Sequence, residues 1–427
     1  MALGFWRGPE LVHLQSALGI CVLVALAWAL SEDRSRFSWR MVVGTLLLQA
    51  GIALLLLKLP VMRDALFRLN GVVTLLSTAT AAGTSFIFGY LGGGPTPFTV
   101  THPANMINLA FGILPLLMVI SALSAILWHW RVLPVIVHAL SLVLRRTLGL
   151  GGAVGLSAAA TVFLGNIEGQ LVIRPYLARL ARTELFILMT VGLSVTAGTV
   201  FVLYATILIP VIPDAAGHIA VCSMLGAPAA ILISLIMVPD PAEQHTGGKL
   251  DEAKQDANST MDAIVKGTGA GLELLLNIVA MLIVFVALVY LANAILGLLP
   301  DVFGAPLTMQ RALGWIMAPV CWLLGIPWSQ AVTAGGLMGI KTILNELVAY
   351  LQLAALPPGA LDPRSRLIML YAMCGFANFG SLGIMIAGLS TMCPQKRDEV
   401  ISLGLKSIVS GTLTTCLLGA IVGVITP

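Results

Sequence analysis

Two glutamates lie in otherwise apolar stretches of the sequence, each close to an asparagine. Glu168 is found in FLGNIEGQLVIRPYL, and Glu346 is found in KTILNELVAY. A carboxylate accepts hydrogen bonds and can carry a proton, and an asparagine side chain both donates and accepts. Such residues could bind a polar solute or couple its movement to an ion, provided that the surrounding elements hold them together.

The composition indicates that these elements lie in a membrane. Hydrophobic residues make up 58% of the 427 positions and charged residues only 10%, and the mean hydropathy is +0.99. Apolar stretches of about 20 residues recur, which is the length that a helix needs to cross a bilayer. A charge at mid-bilayer costs about 3 kcal/mol, so a carboxylate there is a candidate for function. We predict an all-α polytopic membrane protein with about eight transmembrane helices.

The same composition argues against other classes of protein. The net charge of +4 is spread through short loops instead of forming one basic face, so we expect no nucleic-acid partner. The six cysteines and six histidines are dispersed, and the CxxC, HExxH and GxSxG patterns are missing. An intramembrane enzyme would need a nucleophile or a metal beside the glutamates. We therefore expect no enzyme activity, no cofactor and no metal site built from histidines and cysteines, while a coupling ion, proton or sodium, stays open.

The apolar runs predict the individual spans. Basic residues at 34, 36 and 40 follow the first run and place the first loop in the cytoplasm and the N-terminus on the periplasmic side. Segment 63–94 is interpreted as an interfacial helix followed by a long helix of uncertain depth. The predicted spans are 11–30, 41–57, 105–130, 185–210, 219–238, 274–299, 366–389 and 401–426.

Several segments are too short or too interrupted for simple spans. Segments 149–180 and 327–353 are each predicted to form a re-entrant helical hairpin, the first with its tip at 165–169. Polar and glycine-rich stretches interrupt the spans 185–210 and 366–389. An odd number of crossings separates the two sets, so they form inverted repeats, an arrangement typical of secondary transporters.

The predicted organisation has five regions. Residues 1–148 contain N-terminal spans, interfacial helices and scaffold, and 149–238 form the first transport repeat. A cytoplasmic linker occupies 239–269 and a scaffold span occupies 270–306. Residues 307–427 form the second, inverted transport repeat, which includes an interfacial helix at 307–325 that mirrors an amphipathic helix at 132–148.

Broken helices supply a site for a polar solute. Their ends expose backbone N–H and C=O groups, to which polar side chains add donors and acceptors. Two carboxylates and two carboxamides suit a neutral solute rich in hydroxyls and ring nitrogens. The glutamates could instead pair with Arg174 or Lys341 to steady a hairpin. Asn378 and Ser381 could merely satisfy freed backbone groups.

Specific stretches of the chain are similar to a known family. They are IRPYLARLARTELFILMT, AGTVFVLYATI, LLNIVAMLIVFVALVYLANAILG, GIPWSQA, LNELVAYL and CGFANFGSLG. From about Gly165 onwards the sequence resembles the concentrative nucleoside transporters, which are nucleoside–cation symporters. The resemblance implies a homotrimer in the inner membrane, with a scaffold around an elevator-like transport domain.

The resemblance also implies which residues contact a nucleoside. The first hairpin tip and the following broken helix contact the base, and the second hairpin and second broken helix hold the ribose, with an aromatic residue beside it. The implied base contacts are Asn166, Ile167, Glu168 and Val200, and the implied ribose contacts are Glu346, Asn378 and Ser381, with Phe376 beside them.

The first tip departs from the family pattern of Gly-Gln-Thr/Ser-Glu. Here it is Gly165-Asn166-Ile167-Glu168, in which the carboxamide is one methylene shorter and a bulky apolar side chain replaces a hydroxyl. Ribose recognition is therefore expected to be retained, whereas base recognition is uncertain. A cation-coupled permease for a nucleobase or a modified nucleoside is the alternative function, and a regulator without transport activity is another.

The coupling ion is the second departure. In sodium-coupled members an Asn and a Ser side chain contribute to an all-oxygen site, as a hard cation requires. The corresponding residues here are Thr161 and Val195, with Leu164 and Thr196 contributing backbone only. The loss of side-chain oxygens favours proton over sodium coupling, with Glu168 or Glu346 as the proton carrier.

Overall fold

The protein is described here from a computed structural model that covers residues 9–101, 108–239, 257–302 and 304–426. Over these residues the chain forms seventeen α-helices and a few short 3-10 and π turns, without a β-strand. The prediction of an all-α fold is confirmed. Most of the predicted polar linker, residues 240–256, lies outside the described residues.

The helices follow the order that the sequence predicts. The first ten are α1 (Pro9–Ala29), α2 (Trp39–Lys58), α3 (Pro60–Phe88), α4 (Leu116–His129), α5 (Val132–Leu148), α6 (Gly152–Leu164), α7 (Glu168–Leu171), α8 (Arg182–Ser194), α9 (Gly198–Leu208) and α10 (Ala215–Met237). The remaining seven are α11 (Thr260–Leu296), α12 (Met309–Leu323), α13 (Trp328–Ile343), α14 (Glu346–Ala355), α15 (Pro363–Met373), α16 (Phe379–Met392) and α17 (Arg397–Ile425).

Eight helical segments of the described chain are long and apolar enough to cross a membrane. The number of spans agrees with the prediction, but the segments that make up the eight are not all the predicted ones. Segment Pro60–Gly92 is one of the eight, whereas the predicted span 366–389 is divided into α15 and α16. Helices α12 and α13 meet at 119°, as expected where a surface helix turns into a re-entrant hairpin.

The predicted interfacial helix within 63–94 is wrong. Helix α3 is continuous from Pro60 to Phe88, and its next break comes at Gly89, which has a positive φ of 57°. Its charged residues Asp64 and Arg68 are exposed near the beginning of the helix, where it can extend beyond the hydrocarbon layer. The Asn70-Gly71 pair between this polar start and the apolar remainder is accommodated within the helix, where the Asn70 side chain donates to the Pro213 carbonyl at 2.8 Å, so one helix forms.

The predicted linker 239–269 is also too long. Helix α11 begins at Thr260, where the Ser259 side chain caps it by accepting the Asp262 N–H at 3.1 Å. Its 37 residues extend about 55 Å, more than the thickness of a bilayer's hydrocarbon core. The predicted span 274–299 is therefore only the apolar portion of a longer helix.

Helices that are apolar all round form the centre of the bundle. In α10, 83% of the most apolar window is buried, compared with 6% in α11. A helix that is hydrophobic on every face belongs in a protein interior or in lipid. Helix α10 is buried in the protein interior, whereas α11 leaves most of its surface open to lipid or to another chain.

The N-terminal helices do not all pack in one place. Helix α1 packs against α12 and α17, and α2 packs against α10 and α3. Helix α4 instead packs along α11, where Gly267 and Gly271 allow close contact: a Cβ at Gly267 would lie 2.7 Å from the Ala122 Cα. The predicted N-terminal region, residues 1–148, thus joins helices with different packing partners, and the division into scaffold and transport domain stays a prediction.

An ion-pair network holds the loop after α1 against the bundle. The Glu32 carboxylate contacts the Arg182 guanidinium at 2.9 Å and the Lys406 ammonium at 2.8 Å. The hydrogen bond from Arg182, together with Lys406, lowers the pKa of Glu32 to about 2, although partial burial acts in the opposite direction. The network connects this loop to the beginning of α8 and to α17.

Candidate functional site

The first hairpin turns at a glycine that no other residue replaces easily. Helix α6 ends at Leu164, Gly165 has a φ of 126°, and α7 begins at Glu168. A Cβ at Gly165 would lie 2.8 Å from the Glu168 Oε2 and 3.3 Å from the Ala197 Cβ. The tip therefore comprises residues 165–167, shorter than predicted, and it contacts the break between α8 and α9.

The two limbs of this hairpin pack closely against each other, but the second limb is less regular than the first. Gly169 lies against Thr161, because a Cβ there would be 2.3 Å from the Thr161 Oγ1, and the Ser157 hydroxyl donates to the Gly169 carbonyl at 3.0 Å. The return limb consists of the four-residue α7 and a 3-10 turn at Arg174–Arg179. The prediction of a re-entrant hairpin is confirmed, although its second limb is much less regular than that of the second hairpin.

The second hairpin places a glutamate at the equivalent position. Helix α13 ends at Ile343, and the Asn345 Oδ1 caps α14 by accepting the Val348 N–H at 2.9 Å. Glu346 is the first residue of α14, as Glu168 is the first residue of α7. Each carboxylate thus lies where a helix N-terminus carries a partial positive charge.

Glu346 is fixed through both of its oxygens. The Tyr204 hydroxyl donates to Oε1 at 2.6 Å, and the Asn378 Nδ2 donates to Oε2 at 3.0 Å. Both Glu346 and Asn378 are buried. The Asn378 Oδ1 in turn accepts the Ser381 N–H at 2.7 Å, which caps α16. Donors at both oxygens fix the orientation of the carboxylate.

The two broken helices meet back to back. Residues 195–197 separate α8 from α9, and residues 374–378 separate α15 from α16. Gly375, with a φ of 155°, packs against the Ser194 carbonyl, which would lie 2.7 Å from a Cβ at this position. The Thr196 Oγ1 lies 2.8 Å from the Cys374 Sγ across the junction. The predicted interruptions of the spans 185–210 and 366–389 are thereby confirmed, and the two breaks lie next to each other.

The side chains of the first tip point to different neighbours. The Asn166 Oδ1 lies against Gly192 of α8 and accepts a long hydrogen bond from Gln170 at 3.4 Å. Ile167 packs against Gly388 of α16, where a Cβ would be 2.7 Å from its Cδ1. Glu168 is exposed, and its carboxylate lies beside backbone amides at the start of α7.

The expected ion-coupling residues offer few side-chain oxygens. The Thr161 Oγ1 donates to the Ser157 carbonyl at 2.8 Å, and such a hydroxyl still has a lone pair for a cation. Val195 offers none and is buried, with its Cγ2 close to Gly226. The Thr196 carbonyl already accepts a hydrogen bond from Ser223 at 3.3 Å. Leu164 is the last residue of α6, as expected for a backbone contribution.

The remaining predicted contacts occupy the breaks and the helix turns that follow. Val200 is buried in the first turn of α9, Phe376 is half-buried in the second break, and Ser381 is half-buried in the first turn of α16. Neither glutamate forms a salt bridge with Arg174 or Lys341 in the described portion of the chain. The alternative in which such a pair steadies a hairpin therefore has no direct contact to support it.

Sequence reasoning missed Tyr204, which donates the shortest hydrogen bond to Glu346. It lies four residues after Val200 in AGTVFVLYATI, so both residues face the same side of α9. This spacing of four residues was the sequence signal that could have placed Tyr204 in the site with Val200. Its ring also packs on Tyr350, with centroids 5.2 Å apart.

Three family models match the chain in consecutive segments. The model described as the Na+ dependent nucleoside transporter N-terminus matches residues 18–91, the one described as nucleoside recognition matches 110–211, and the Na+ dependent nucleoside transporter C-terminus matches 218–423. The chain belongs to the concentrative nucleoside transporter family. Members of this family are nucleoside transporters, which confirms the prediction of a transporter rather than an enzyme.

Individual relatives agree over nearly the whole length. The uncharacterized transporter YutK of Bacillus subtilis is 35% identical, over 96% of this chain and 98% of its own. The nucleoside permease NupC of Helicobacter pylori is 31% identical, over 96% and 97%. The structure of CNTnw in an inward-facing substrate-bound state is 33% identical and superposes with a TM-score of 0.88, over 97% of this chain and 98% of that one.

Proposed function

We propose that this member of the concentrative nucleoside transporters imports nucleosides across the inner membrane by coupling their movement to a proton gradient. The observation that carries the proposal is the buried Glu346 carboxylate, which Tyr204 and Asn378 orient at the N-terminus of α14. It lies beside two broken helices that meet at the centre of the bundle.

This carboxylate suits a ribose. It has about four lone-pair positions, of which Tyr204 and Asn378 use two, so two remain for hydroxyl donors. Vicinal 2′ and 3′ hydroxyls are such donors, and the Ser381 hydroxyl, half-buried one turn away, is available to one of them. A site built to bind hydroxyls discriminates strongly against analogues that lack them, because its buried polar groups would then be unpaired.

The base would lie towards the first hairpin. Asn166, Glu168 and Val200 are proposed to contact it, and Ile167 adds an apolar surface where relatives have a hydroxyl. Phe376 in the second break would lie beside the sugar. Because Ile167 cannot donate a hydrogen bond, a nucleobase or a modified nucleoside remains the second candidate class of substrate.

Proton coupling is favoured by the contrast between the two glutamates. Glu346 is buried and accepts hydrogen bonds from two side chains, whereas Glu168 is exposed and lies beside only the backbone amides at the start of its own helix, so a proton can reach it from solvent. Val195 provides no side-chain oxygen for sodium, and Thr161 provides one. The family models are named for Na+ dependence, so the choice of ion must be tested directly.

Further proposals concern assembly and movement. We propose a homotrimer with an elevator-like transport domain and a periplasmic N-terminus. The largely exposed apolar surface of α11, which lipid or second copies of the chain would cover, supports the assembly. The two hairpins and two broken helices support the moving domain, and the basic residues at 34, 36 and 40 support the orientation.

Uptake of labelled uridine into proteoliposomes tests the substrate class. Uridine, adenosine and inosine are expected to compete, whereas uracil and adenine are not. If labelled uracil or adenine is taken up and labelled uridine is not, the second candidate class is correct. Unchanged uptake after substitution of both Glu346 and Asn378 would instead favour a regulator that does not transport through this site.

The same vesicles test the ion. Uptake is expected to continue in sodium-free buffer and to increase when the outside is made acidic. A strict sodium requirement without any response to a pH gradient would refute proton coupling.

A further inference from the structure

A buried lysine lies behind the proposed ribose site. Lys341 belongs to the last turn of α13, five residues before Glu346, and its side chain is fully buried. Within the described portion of the chain its Nζ has no hydrogen-bond partner. An ammonium group without a partner is costly inside a protein and more so inside a membrane, so its retention requires a compensating interaction.

Among the described residues, one carboxylate interacts with Lys341. Its titratable neighbours are Glu346 on α14 and three cysteine thiols, which come from α10, the second break and α17. The thiols are buried and are not in disulfides. Glu346 is thus the only group of this set with a full opposite charge at neutral pH. The three cysteines are Cys222, Cys374 and Cys416.

The two charges interact without touching. Tyr204 and Asn378 occupy one lone pair on each Glu346 oxygen, and no salt bridge joins Glu346 to Lys341. In an interior of low dielectric constant, opposite charges attract strongly even when they are not in contact. A direct salt bridge would consume the lone pairs that a substrate needs, whereas attraction at a distance leaves them free.

We propose that Lys341 is a positioning residue for substrate recognition. It holds the Glu346 carboxylate in place by attraction of opposite charges and leaves its remaining lone pairs available to the ribose hydroxyls, without contacting the substrate itself. Glu346 in turn compensates the buried ammonium. This inference rests on the proposed ribose contact of Glu346 and extends it to a second residue that acts through that contact.

A double-mutant cycle tests this role. The variants are Lys341→Met, Glu346→Gln and the combination, with Lys266→Met as the control, because Lys266 pairs with Asp262 on the surface of α11. Dissociation constants for uridine and 2′,3′-dideoxyuridine are measured on purified protein, and maximal uptake rates are measured in proteoliposomes.

The expected result is selective. Lys341→Met should weaken uridine binding about tenfold, while the maximal uptake rate and the binding of dideoxyuridine change by less than about threefold. In the Glu346→Gln background the lysine substitution should have no further effect on uridine, because the group through which it acts is already neutral. Lys266→Met should behave as the wild type.

Two results would overturn the inference. One is an equal loss of affinity for both ligands in Lys341→Met, and the other is a double variant whose loss equals the product of the single losses. If Lys341→Met is folded but too unstable for binding measurements, thermal stability replaces binding as the measured quantity; if only the double variant can be purified folded, it counts as the more stable of the two. The double variant should then be more stable than Lys341→Met, because it removes both buried charges together, and a double variant of equal or lower stability refutes the pairing.

The outcomes separate the inference from the proposed function. Wild-type affinity of Glu346→Gln for uridine would remove the ribose contact and with it the proposed site. Impaired binding by Glu346→Gln together with independent effects of the two substitutions would refute only the role of Lys341.

Discussion

The two hairpin tips begin their return limbs with a glutamate but treat it differently. At the second tip, Glu346 is buried and held by a tyrosine and an asparagine from two other helices. At the first tip, Glu168 is exposed, and the limb after it is a four-residue helix and a 3-10 turn. Equivalent positions of the two repeats thus differ: the carboxylate of the second tip is held in one orientation, and that of the first tip is open to solvent.

The difference suggests a division of tasks. A carboxylate that is oriented in advance loses little freedom on binding and can recognise a constant feature such as ribose hydroxyls. A carboxylate that remains exposed can change its protonation state during transport. This contrast fits our proposal that the second tip recognises the sugar and that the first tip contacts the base and the coupling ion.

Replacing Glu346 should have the largest effect. Glu346→Gln keeps the size of the side chain but removes the charge that strengthens its hydrogen bonds to hydroxyls, so the affinity for uridine should decrease about 100-fold. Binding measurements on purified protein check this result. Glu399→Gln is the control, since Glu399 pairs with Lys396 outside the site. A loss smaller than that caused by Glu168→Gln would reverse the assignment of the two tips.

Removing the tyrosine hydroxyl should have the next largest effect. Tyr204→Phe deletes the 2.6 Å hydrogen bond to Glu346 but keeps the ring against Tyr350, and uridine binding should weaken about tenfold. Tyr350→Phe is the matched control, because that hydroxyl donates to the Leu370 carbonyl instead. Equal losses of affinity in both variants would indicate a general packing defect rather than a role of Tyr204 at Glu346.

Changing the unusual first tip should have a smaller and more selective effect. Ile167→Thr restores a hydroxyl next to the base, so the ratio of adenosine to uridine affinity should change about threefold to tenfold, the value of one hydrogen bond. Competition for labelled uridine uptake measures this ratio. Ile209→Thr, at the end of α9, should leave it unchanged. A shift in affinity that is the same for both nucleosides would contradict the assignment of the base to this tip.

The Glu32 ion-pair network should affect the stability of the protein but not substrate binding. It therefore serves as a reference that lies outside both hairpin tips. The pKa of Glu32 is lowered from 4.5 to about 2, so its contribution is fully present above pH 4.5 and is lost as the pH falls towards 2. Glu32→Gln should lower the free energy of unfolding at neutral pH by about 1 kcal/mol, a value reduced from the shift because the side chain is partly exposed.

Thermal unfolding of the wild type and Glu32→Gln, recorded from neutral to acidic pH, checks the stability prediction. The difference between the two proteins should shrink below pH 4.5. Asp33→Asn is the control, because Asp33 pairs only within its own loop in the described structure. A difference that grows on acidification would contradict the role of the ion pairs.

Much of the fold could be predicted from the sequence because the ends of most helices are set by residues close to them in the chain. Apolar runs located most spans, and glycine or polar interruptions located both hairpins and both breaks. The failure at α3 also has a local cause, since its charged beginning resembles an interfacial helix and the Asn70-Gly71 pair after it resembles a turn, yet the helix continues through both. The beginning of α11 was missed because its first turns are not apolar.

The site could be predicted only partially. Glu346 and Asn378 were identifiable as polar residues at interruptions, and the contact between them agrees with a shared site. Tyr204 and Lys341 were harder to identify, because their importance depends on how α9 and α13 pack around Glu346. A tyrosine or a lysine in an apolar helix has no local pattern that indicates its tertiary partner.

The most direct test of this division of tasks is the preference for uridine over 2′,3′-dideoxyuridine, measured as a ratio of dissociation constants for the wild type, Glu346→Gln and Glu168→Gln. The wild type and Glu168→Gln should prefer uridine about 100-fold, and Glu346→Gln should show almost no preference. A Glu346→Gln variant that keeps the wild-type ratio, or a Glu168→Gln variant that loses it, would contradict the assignment of the sugar to the second tip.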